Sequence, residues 1–108
     1  MPTYNKLVRD RILEIIAADG LTYNARTLRP EEHLIEIKNK LYEEVKEFDD
    51  TTNEDDALEE LADVLELIHA ALNVYGKSYA ELEAVRVRKR DKRGGFDNGD
   101  YLIDVEDK

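Results

Sequence analysis

Apolar residues recur at helical spacing over most of the chain. Leu34, Ile37, Leu41, Val45 and Phe48 form one stripe and predict a helix near residues 31–49, with Pro30 close to its first position. Leu58, Leu61, Leu65, Ile68 and Leu72 form the main stripe of a second helix, near 54–75. A second face of that helix carries Val64, Leu67, Ala71 and Val74. Val8, Ile12, Ile15 and Ile16 predict a helix near 8–19, with Asn5 as its N-cap and Gly20 as its stop. A fourth helix, near 78–93, buries Leu82, Val85 and Tyr79. It opens on a capping box formed by Ser78 and Glu81. Residues 21–30 have no helical period and read as an extended segment or short strand. Tyr101 to Val105 reads as another, placed to pair with residues 22–28. The pattern therefore predicts a mostly α protein. It is an antiparallel helical bundle with at most a small two-stranded β element, forming a single domain over residues 1–108.

Polar residues break this pattern at informative places. Glu44-x-x-Glu47 and Glu60-x-x-Asp63 each have i,i+3 spacing, so each pair shares one side of its helix. The acidic segment Asp49 to Asp56 between them supplies a turn, which makes the stretch a helical hairpin. Glu44 falls about 20° from Ile37 on a helical wheel, at the edge of the apolar stripe. Glu60 and Asp63 lie among Val64, Leu67 and Ala71. Glu43 and Glu59, by contrast, are expected to face solvent. Carboxylates among apolar neighbours are costly unless paired or metal-bound. The two readings of the four acids are thus a metal or acid–base site and a set of salt-bridged structural acids.

Charge sharpens the picture. The net charge is −10, which argues against a general nucleic-acid binder. Two local reversals stand out: Lys6, Arg9 and Arg11 near the first helix, and Arg86 to Arg93 along the last. The first suits an anion such as a phosphate, and the second is informative in a chain this acidic. There are no cysteines, so disulfide and thiol chemistry are excluded, and a cytoplasmic location fits. No apolar run approaches a membrane span, and no signal-peptide pattern is expected. His33 reads as a surface residue and His69 as packed beside the second helix's stripe; neither is expected to be a ligand. The second helix is apolar on two sides, which predicts a homodimer or homotetramer with that helix in the interface.

An EF-hand reading from Asp49 to Glu60 fails, because its sixth position is Glu54 instead of the glycine that the loop's sharp turn requires. A non-catalytic helical dimerisation module explains the two-sided helix. It leaves unexplained the acids that interrupt one apolar face.

The spacing Glu44-x-x-Glu47, twelve residues, Glu60-x-x-Asp63 resembles the signature of the all-alpha nucleoside triphosphate pyrophosphohydrolases, the MazG-like and phosphoribosyl-ATP pyrophosphohydrolase group. Tyr4-Asn5-Lys6-Leu7-Val8-Arg9-Asp10 and Lys92-Arg93-Gly94-Gly95-Phe96 look like a small phosphoribosyl-ATP pyrophosphohydrolase-like branch. Leu13 departs from that pattern, where proline is expected. The resemblance spans nearly the whole chain. It implies a nucleotide pyrophosphohydrolase in which Glu44, Glu47, Glu60 and Asp63 are the catalytic acids and bind Mg²⁺, with Mn²⁺ as a substitute. The implied substrate is a nucleoside triphosphate or related nucleotide, converted to a monophosphate and pyrophosphate. House-cleaning of non-standard nucleotides is the leading role, and phosphoribosyl-ATP hydrolysis in histidine biosynthesis is the alternative. Lys6, Arg9, Lys89 and Arg93 are the candidates to bind phosphate oxygens.

Overall fold

The computed structural model describes residues 2–107. Among them the chain forms four helices and no strand: α1 (Ile12–Ala18), α2 (Pro30–Asp49), α3 (Glu54–Tyr75) and α4 (Tyr79–Arg93). The all-α architecture is the one the periodicity predicts, and the three long helices end within a residue of the expected bounds. No helix among the described residues is long and apolar enough to cross a membrane. The chain divides into two compact units, Met1–Gly76 and Lys77–Lys108.

The first unit is built on the α2–α3 pair, which pack against each other. Residues 50–53 alone connect them, so the two helices run antiparallel. The turn is closed locally. Thr51 Oγ1 donates to the Phe48 carbonyl at 2.7 Å, and Asn53 Oδ1 accepts from the Asp56 amide at 2.9 Å, capping α3. At the other end Gly76 takes φ +70°, a left-handed conformation that glycine adopts without strain, and its amide bonds back into the last turn of α3. The core centres on Ile37, which is fully buried, with Leu34, Leu41, Val64, Leu67, Ile68 and Ala71 half-buried around it.

The second unit carries α4. Its capping box is present as expected: the Ser78 amide donates to Glu81 Oε2 at 2.7 Å, and the Glu81 amide donates to Ser78 Oγ at 3.1 Å. Arg90, Lys92 and Arg93 occupy the last turn, where positive charge complements the helix dipole. Gly94 ends the helix, and Phe96, Tyr101, Leu102 and Ile103 beyond it are exposed.

Five expectations are corrected. The segments 22–28 and 101–105 form no strand. They belong to different compact units, and a lone pair of short strands gains little stability in water. The first helix begins at Ile12 instead of near residue 8. Asn5 does not cap it but sits at φ +45°, a conformation that a short polar side chain tolerates. The face of α3 turned towards α2 is the one bearing Val64, Leu67 and Ala71; Leu58, Leu61 and Leu65 of the main stripe are 69%, 47% and 44% exposed. On α2, similarly, Val45 is exposed while Glu44 is buried.

Candidate metal centre

The rotation of the hairpin that exposes Leu61 and Val45 turns the acids inward. Glu44 is 6% exposed and is the one buried charged residue among those described. It sits seven residues, about two turns, beyond Ile37, so the fold that buries Ile37 buries Glu44 as well. Across the seam, α3 supplies Glu60 and Asp63, both half-buried. Glu44, Glu60 and Asp63 each place a carboxylate oxygen within 4.8 Å of the other two. A second set, Glu43, Glu44 and Glu47, meets the same limit along α2. Glu44 belongs to both, so the four acids singled out by the sequence converge on one locality, with Glu47 at its exposed edge.

The electrostatics follow from that crowding. Burial pushes the Glu44 carboxyl up to about 7, reinforced by Glu47, Glu60 and Asp63 beside it. Glu60 is also raised, first by burial and then by Glu47 and Asp63. Glu44 Oε2 and Glu60 Oε2 are buried without a hydrogen-bond donor. Two ionised carboxylates are both acceptors, so these oxygens satisfy each other only through a shared proton or a cation. Cations already line the rim. Lys40 Nζ lies 3.3 Å from Glu43 Oε2 and 3.8 Å from Glu44 Oε1. Lys6 Nζ lies 3.7 Å from Glu43 Oε1, and the Arg9 guanidinium lies 2.5 Å from Asp63 Oδ1.

Sequence reasoning missed two of these residues. Glu43, expected to face solvent, is half-buried and ion-paired to Lys6 and Lys40. Lys40 was signalled only by its i,i+3 and i,i+4 spacing to Glu43 and Glu44. Glu59 is exposed, as expected, and lines a cavity of about 300 Å³ with Glu47, Thr51, Asp56 and Glu60 near the turn. His33 is half-buried instead of lying on the surface; His69 is half-buried on α3; neither joins the acid groups. Lys89 and Arg93 lie exposed on α4, in the other compact unit. A wider depression of about 850 Å³ there is lined wholly by one flank of α4, from Ala80 to Lys92.

The donor set is all carboxylate oxygen, which suits a hard divalent cation over zinc. Opposite oxygens around Mg²⁺ stand about 4.2 Å apart. A group already within 4.8 Å closes on such an ion by small side-chain rotations, and the two orphaned oxygens gain a partner. Compared with protein-family models, with curated proteins and with solved structures, the chain finds no match.

Proposed function

We propose that the chain is a Mg²⁺-dependent nucleotide pyrophosphohydrolase. It cleaves a nucleoside triphosphate to a monophosphate and pyrophosphate, with Mn²⁺ able to replace Mg²⁺. The observation that carries this reading is the meeting of Glu44, Glu60 and Asp63 across two helices, with two buried carboxylate oxygens that lack a donor. Four clustered acids in a packing seam cost stability that a purely structural role does not explain.

In this reading Glu44, Glu47, Glu60 and Asp63 hold the cation. When bound, the ion would screen the phosphate charge and acidify the attacking water. Lys6 and Arg9 stand beside the acids and would draw in phosphate oxygens. A site carboxylate in its ionised form takes the proton as the water oxygen bonds to phosphorus and the anhydride bond breaks towards pyrophosphate. Lys89 and Arg93 are further phosphate candidates from the sequence pattern alone. Non-standard nucleotides are the leading substrate class and phosphoribosyl-ATP the alternative; both undergo the same cleavage. A cytoplasmic location accords with the absence of cysteine.

A second feature favours self-association. Ile35, Tyr42 and Val45 share one face of α2, and Leu58, Leu61 and Leu65 share one face of α3; all six are exposed. Apolar surface repeated at helical spacing marks an interface, and a homodimer or homotetramer covers it. The dimerisation-module reading accounts for this face alone and leaves the acids idle. Pyrophosphate release from a panel of ordinary and modified nucleoside triphosphates, with Mg²⁺ and with chelator, separates the two. Release that depends on Mg²⁺ supports the enzyme, whereas no release from any substrate leaves only the module.

A further inference from the structure

Two cationic side chains from the N-terminal segment reach the acids from far away in sequence. Arg9 contacts Asp63, 54 positions on, and Lys6 contacts Glu43. Asp63 belongs to the group with Glu44 and Glu60, and Glu43 to the group with Glu44 and Glu47. Each group therefore has one carboxylate already engaged by a cation of the N-terminal segment. The engaging side chains are not fixed in the core: those of Arg9 and Lys6 are 59% and 45% exposed. Residues 2–9 include no helix or strand to hold them down. Among the described residues, the one cation paired with Glu44, the most buried acid, is Lys40, at Oε1.

We infer that the N-terminal segment is an internal counter-cation, with Arg9 competing with the divalent ion for Asp63. This inference rests on the metal-binding reading above and adds a regulation of the same site. Without metal, the guanidinium offsets the charge of Asp63 and keeps the segment against α3. A divalent ion on the same carboxylates repels the guanidinium and accepts the same lone pairs, so loading frees Arg9. The freed side chain is then available to a phosphate oxygen of the incoming nucleotide. Metal and segment thus oppose each other at Asp63, while metal and nucleotide favour each other. By linkage, whatever metal does to the Arg9 contact, the Arg9 contact does to metal affinity.

The test is Mn²⁺ binding by isothermal titration calorimetry, with no nucleotide present. Three variants are compared with the unaltered chain. Arg9→Gln removes the competing charge, Arg9→Lys keeps it, and Arg11→Gln removes an equal charge that pairs with Glu14 instead of the site. The expected result is Mn²⁺ binding tightened about fivefold in Arg9→Gln. Arg9→Lys and Arg11→Gln should stay within about twofold of the parent. In turnover, Arg9→Gln should raise KM for the nucleotide more than it lowers kcat. Equal or weaker Mn²⁺ binding by Arg9→Gln, or equal tightening by Arg11→Gln, overturns the competition while the metal site stands. Failure of every form to bind Mn²⁺ overturns the metal reading and this inference together.

Discussion

Replacing Glu44 with glutamine keeps the shape of the side chain and removes its charge. In the folded chain the Glu44 carboxyl is raised from an ordinary 4.5 to about 7 by burial and by Glu47, Glu60 and Asp63. A carboxyl raised on folding binds more protons folded than unfolded between those two values. The stability it contributes is present below about pH 4.5 and is lost as pH rises through about 7. The gap corresponds to on the order of 3 kcal/mol at full ionisation. Metal-free protein should therefore weaken between pH 5 and pH 8, and the Glu44→Gln variant should lose most of that slope. At pH 8 the variant should be the more stable of the two, by on the order of 10 °C in Tm. Its amide can also donate to the orphaned Glu60 Oε2. Saturating Mg²⁺ should raise the Tm of the parent at pH 8 and do much less for the variant. The assay is thermal melting by circular dichroism at half-unit pH steps, with chelator and with Mg²⁺. A Glu44→Gln variant with the parent's pH slope, or one less stable than the parent at pH 8 without metal, refutes the reasoning.

Other perturbations separate the site from its surroundings. Asp63→Asn should cut Mg²⁺-dependent pyrophosphate release by about 100-fold or more while the circular dichroism spectrum stays helical, whereas Glu59→Gln, at an exposed position, should leave release within about twofold. Ile37→Ala should cost about 2–4 kcal/mol in urea unfolding, because Ile37 is the fully buried apolar side chain at the α2–α3 seam. Leu61→Glu should reduce the mass measured by light scattering to that of a single chain if the exposed face of α3 is the self-association surface; a parent already monomeric at micromolar concentration would remove that proposal.

Much of this was legible in the residues. Pro30, Ser78 and Glu81 punctuate the chain at positions where the physical reason is local, so α2 and α4 are found with their starts. The four acids are found because spacing along a helix fixes their relative directions. The absolute rotation of each helix was not legible. α3 is apolar on two sides, and a wheel cannot say which side meets α2. The seam took the side carrying Glu60 and Asp63, which left Leu58 and Leu61 outside. The same rotation brought Glu43 to Lys6, and a wheel of α2 alone holds no information about Lys6. The start of the first helix was missed because Val8 fits its period, whereas Asn5 takes a positive φ and a turn at Asp10 precedes Ile12.

The short connection between α2 and α3 has a kinetic consequence. Thr51 and Asn53 close the turn through bonds to residues three positions away, so the hairpin can zip from that end with contacts close in sequence. Glu47 and Glu60 flank the turn and Glu44 and Asp63 follow them, so like charges approach one another while the zipper is still closing. Their repulsion then belongs to the barrier crossed on the way in. Protons or divalent ions should accordingly quicken refolding in stopped-flow experiments more than they slow unfolding, and the early encounter of the two helices becomes the step at which the chain first senses its ionic surroundings.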